Sequence, residues 1–89
     1  MATVHLLIKG KVQGVFYRKS AWDVATKTGI TGWIKNTPEG DVEALVSGTE
    51  EQLRAFLEWC KKGPARADVA EVVTTIQAPV IFTDFKILH

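Results

Sequence analysis

The chain has 89 residues, 46% of them hydrophobic, and 11 basic against 10 acidic residues leave a net charge of +1. That length makes one domain, residues 1–89, with a core of modest size. The near balance of charge excludes a protein that holds nucleic acid by bulk charge, and the single cysteine, Cys60, excludes an internal disulfide and a multi-cysteine metal site.

Residues Val4 to Lys11 are apolar and β-branched with basic residues at the end, which predicts a first strand. A loop with two glycines and no acid follows, Gly10-Lys11-Val12-Gln13-Gly14-Val15-Phe16-Tyr17-Arg18. Residues Ser20 to Thr28 read as a helix, with Tyr17, Ala21, Val24 and Thr28 as a stripe that can face a sheet. Gly29 stops it. Thr31 to Asn36 is a second strand, Thr37-Pro38-Glu39-Gly40 a turn, and Asp41 to Ser47 an alternating third strand. Thr49 caps a second helix, with Gln52 returning the bond as a capping box. Leu53, Phe56, Leu57 and Cys60 fall on one face of it, which makes Cys60 a half-buried structural residue. Lys61 and Lys62 suit its C-terminus, and Gly63-Pro64 ends it. Asp68 to Gln77 is a fourth strand, broken by Pro79, and Asp84 to Leu88 a short last strand.

The order predicts an α+β fold, a ferredoxin-like β-α-β-β-α-β sandwich with a short fifth strand. Two helices would cover one face of a mainly antiparallel sheet. The first two strands would run parallel with the third between them, so that Gln13 to Arg18 and Asn36 meet at one edge.

Such a corner is a phosphate cradle. The first N–H groups of a helix lack partners within it and favour an anion. The backbone of Gln13, Gly14, Val15, Phe16 and Tyr17 would meet phosphoryl oxygens, and Arg18 adds a fork of donors. Asn36 cannot act as a general base, but it can orient a water. A site of this kind suits a leaving group that needs little help, such as a carboxylate, whose conjugate acid has a pKa of roughly 4. An acyl phosphate fits that condition, and no metal ligands or cofactor are expected.

The loop from Gly10 to Arg18 closely resembles the acylphosphatase signature, as does Gly32-Trp33-Ile34-Lys35-Asn36 followed by Gly40-Asp41-Val42-Glu43. Phe56-Leu57-Glu58-Trp59, Gly63-Pro64, Ala67-Asp68-Val69 and Phe85-Lys86-Ile87 are similar in the same order. The resemblance implies a metal-independent acylphosphate phosphohydrolase. It implies that Arg18 binds the phosphate, that Asn36 positions the water, and that Gln13 to Tyr17 form the phosphate-binding loop. Leu88 and His89 stand where the family often has an arginine or an aromatic residue, so no role in holding Arg18 is expected of the C-terminus.

The competing reading is a non-catalytic ferredoxin-like module that binds phosphate or another ligand. An RNA-recognition domain of this topology would carry stacking aromatics on its first and third strands, and Val4 to Ile8 and Val42 to Val46 contain none. The N-terminus has no signal-peptide pattern and no segment reaches membrane-spanning length. A cytoplasmic monomer is expected, with a small-molecule acyl phosphate as substrate, inorganic phosphate as product, and no nucleic acid or membrane as partner.

Overall fold

Val4, Leu6 and Ile8 alternate with His5, Leu7 and Lys9, so one set of side chains leaves water together. In the computed structural model, which describes residues 1–89, this segment is β1 (Ala2–Lys11), with Leu6 and Ile8 fully buried. After it come α1 (Tyr17–Thr28), β2 (Thr31–Asn36), β3 (Val42–Gly48), α2 (Glu50–Lys62), β4 (Asp68–Gln77) and β5 (Phe85–Ile87). The strands form one sheet in the order β4-β1-β3-β2-β5. β3 is antiparallel to both β1 and β2, β4 is antiparallel to β1, and β5 runs parallel to β2. Thus β1 and β2 point the same way with β3 between them, as the sequence predicts. Val42 is the register partner of both Ile8 and Asn36, so Asn36 lies two strands from the end of β1.

Both helices pack on the face that carries Leu6, Ile8, Ile34 and Ala44. α1 contributes Ala21 and Ala25, and α2 contributes Leu53, Phe56 and Cys60. The capping box forms as expected: Thr49 accepts from the Gln52 N–H, and the Gln52 side chain accepts from the Thr49 N–H. A cap of this kind is worth about 1 kcal/mol.

The helix that the sequence starts at Ser20 begins at Tyr17, which brings Arg18 into its first turn. The cause is Tyr17 itself. Its ring is buried, its hydroxyl donates to the Cys60 carbonyl at 2.7 Å, and it lies 5.3 Å from the Trp59 ring. Those contacts pull the first turn down onto α2. Val24 and Thr28 are half-buried, and Ala25 takes the place expected for Val24 in the core. Cys60 is fully buried rather than half-buried. Burial pushes its thiol up to about 12, only partly offset by the Tyr17 hydroxyl, so it stays protonated and unreactive.

The other face of the sheet carries a crossing segment. Between β4 and β5 the Val80 N–H donates to Thr3 Oγ1 at 2.9 Å, and Ser47 Oγ donates to the Val80 carbonyl at 2.8 Å. Thr3 and Ser47 are thereby buried with their hydroxyls satisfied. This strap carries the chain from the β4 edge to the β5 edge and delivers the last residues beside β2.

Candidate active site

The loop from Val12 to Phe16 turns through two left-handed residues, Gly14 at φ 73° and Phe16 at φ 62°. Glycine takes that conformation freely, whereas a bulky side chain is strained there. The turn leaves a series of amide groups without backbone partners. None of the N–H groups from Gln13 to Lys19 donates to a backbone carbonyl, and the first paired one is Ser20, which reaches Phe16 at 3.0 Å. No side chain caps α1 and no acid stands in its first turn. Unpaired donors and the positive end of the helix dipole therefore lie together at the start of α1.

Arg18 rises from this first turn. Its Nη1 donates to the Leu88 carbonyl at 3.0 Å, just beyond β5. Leu88 in turn donates its N–H to Ile34 at 2.8 Å, continuing the β5–β2 ladder. The sequence assigned the C-terminus no role in holding Arg18. The structure corrects this, because the acceptor is a main-chain oxygen and the side chain at that position is immaterial.

Asn36 is the last residue of β2 and is exposed. The turn after it is tied to the loop by Gln13, whose Nε2 donates to Thr37 at 2.9 Å and to Asp41 at 2.8 Å. Gln13 thus clamps the loop to the strand end that presents Asn36. The sequence offered no sign of this, since both acceptors are backbone oxygens.

A cleft of about 320 Å³ joins these parts, lined by Gly14, Phe16, Tyr17, Arg18, Asn36 and Ile87, together with Val12, Lys19 and His89. Gln13 and Val15 do not line it: the Gln13 side chain is turned to the clamp and Val15 is buried beneath the loop. Their N–H groups nevertheless remain without backbone acceptors. Nowhere in the fold do three or more His, Cys, Asp or Glu side chains gather. The cleft offers amide and guanidinium donors, an arrangement that attracts an anion with several oxygens.

Comparison with known proteins gives a consistent answer. The family model for acylphosphatase matches residues 4–87. An acylphosphatase from Marinobacter nauticus is 49% identical over 86 residues, covering 96% of this chain and 94% of that protein. One from Methylococcus capsulatus is 43% identical and covers 100% of this chain and 98% of its own. The crystal structure of acylphosphatase from Bacillus subtilis superposes with a TM-score of 0.96 at 31% identity, covering both chains in full (100% and 100%). The structure of an acylphosphatase from Coxiella burnetii gives 0.94 at 34% identity, covering 98% of this chain and 92% of that one.

Proposed function

The chain belongs to the acylphosphatase family and hydrolyses acyl phosphates to a carboxylate and inorganic phosphate, and from that premise we propose which of its residues carry the reaction. The amides of Gln13, Gly14, Val15, Phe16 and Tyr17 and the guanidinium of Arg18 hold the phosphoryl oxygens. Asn36 orients the attacking water with one donated and one accepted hydrogen bond. The observation that carries this assignment is one cleft lined by Gly14, Phe16, Tyr17, Arg18 and Asn36, beside a loop whose N–H groups have no backbone acceptor.

The water oxygen attacks phosphorus in line as the bond between phosphorus and the acyl oxygen breaks. The electron pair leaves with the carboxylate, and both protons of the water end on the phosphate: R–CO–OPO₃²⁻ and H₂O give R–COO⁻ and H₂PO₄⁻. The leaving group is a weak base, so it departs without an acid, and no side chain has to retain a proton. What remains for the protein is alignment and stabilisation of charge that spreads over the equatorial oxygens. Arg18, held against Leu88, meets that charge without having to reorganise.

The loop, Arg18 and Asn36 all come from one chain, which supports a monomer acting on a small molecule. The test is phosphate release from acetyl phosphate by the wild type after exhaustive chelation, beside Arg18→Ala. We expect the chelated wild type to stay active and Arg18→Ala to lose on the order of 10³-fold, by analogy with catalytic arginines. Chelated protein that regains turnover only with a divalent ion, or near-normal turnover in Arg18→Ala, overturns the assignment. Phosphate binding with no release from any acyl phosphate returns the chain to the binding-module reading.

A further inference from the structure

The roles proposed above fix the phosphoryl end of the substrate and leave the acyl end unspecified. Phe16 bears on that end. It is the one non-glycine residue with a positive φ, and it is 73% exposed. The position requires a left-handed backbone, for which glycine or asparagine is the ordinary choice. A phenyl group there adds strain and gains little burial from its own chain. A strained backbone and an unburied aromatic ring at one residue, on the wall of a cleft, indicate a function served by the ring.

Ile87, the last residue of β5 and only half-buried, lines the same cleft, as does His89. Phe16 and Ile87 belong to the same cleft as Arg18 and Asn36. A cation of that cleft, Lys19, is engaged by Asp23 at 3.3 Å and lies 4.5 Å from the centre of the Trp22 ring. An acyl phosphate whose phosphoryl group sits on the amides and Arg18 shares that cleft with the Phe16 ring and Ile87.

The geometry points to an acyl-group subsite made by Phe16 and Ile87, which selects acyl phosphates bearing an aromatic or branched apolar acyl group over acetyl-sized ones. It rests on the phosphate-binding roles proposed for the loop and Arg18. The exposed ring offers a face for stacking against an aromatic acyl group, and Ile87 adds apolar surface in the same cleft. Discrimination of this kind, by apolar contact alone, is modest, about 10- to 100-fold.

The test compares kcat/KM for benzoyl phosphate and acetyl phosphate in the wild type, Phe16→Gly, Phe16→Leu and Ile87→Ala. Phe16→Gly removes the ring and relieves the left-handed strain, so it is expected to fold at least as well as the wild type. The benzoyl-to-acetyl ratio should fall about tenfold in Phe16→Gly, recover in part in Phe16→Leu, and fall less steeply in Ile87→Ala. A ratio within about twofold of wild type in an active Phe16→Gly protein, whatever the change in absolute rates, overturns the subsite alone. A wild type inactive on both substrates defeats the underlying roles, and the subsite with them.

Discussion

Arg18 and Leu88 are 70 residues apart in sequence, yet the guanidinium donates to that main-chain oxygen at 3.0 Å. The contact fixes where the charge of Arg18 points. Removing Leu88 and His89 abolishes the acceptor and leaves the arginine to wander. A hydrogen bond to a charged group is worth about 1.5–3 kcal/mol, so kcat/KM for an acyl phosphate should drop about tenfold or more, and the unfolding midpoint should fall as well, because the Leu88 N–H bond to Ile34 goes with it. A shortened chain that turns over like the full one would show that Arg18 needs no such tether.

Asn36 separates water positioning from phosphate binding. An interaction used only in the transition state lowers kcat and leaves ground-state affinity nearly intact. Asn36→Ala should lose turnover strongly and still bind inorganic phosphate through the loop and Arg18. Asn36→Asp should also fail, since a carboxylate repels the phosphoryl group and cannot donate. Wild-type turnover together with a lowered midpoint would leave Asn36 as no more than a cap on the turn.

Gln13 gives the opposite pattern. Its two bonds to Thr37 and Asp41 hold the loop against the strand end, and each is worth about 1 kcal/mol. Gln13→Ala should lower stability by about 1–2 kcal/mol in denaturant melts and raise KM, because the two halves of the site drift apart. An unchanged midpoint would mean that the loop holds its shape without the clamp.

Acid tests the open face of the sheet. His5 Nε2 lies 2.7 Å from Glu43 Oε2, and Lys35 Nζ lies 3.7 Å from Oε1. The hydrogen bond with His5 holds the Glu43 carboxyl below its ordinary value of 4.5, Lys35 adds to that, and partial burial opposes it. A carboxyl lowered in the fold stabilises above its unfolded value and loses that contribution as pH falls through the lowered one. Glu43→Gln should therefore be less stable than the wild type near neutrality, with the gap closing below about pH 4.5. A gap of constant size across that range would exclude this ionisation as its cause.

β2 and β4 were legible in the sequence to the residue, because Gly29 and Pro38 flank the first and Gly63-Pro64 and Pro79 flank the second. Arg18 and Asn36 were legible as a pair because two parallel strands must end on one side of a sheet. The start of α1 was not, since Phe16 is no recognised cap and the burial of Tyr17 against Cys60 is a tertiary contact. Nor were the clamp by Gln13 and the tether to Leu88. Both end on backbone oxygens, which every residue has, so no side chain marks them.

The strap that crosses the sheet has a kinetic consequence. Thr3 meets Val80, 77 residues away, and β5 then carries Leu88 to Arg18. Pairings between distant segments pay loop-closure entropy before they gain contacts, which slows folding. They also set an order during refolding. From denaturant, the helices and central strands can form before β5 docks and the Leu88 carbonyl reaches Arg18. Full turnover then lags the return of secondary structure, and that lag times the closing of the final strand.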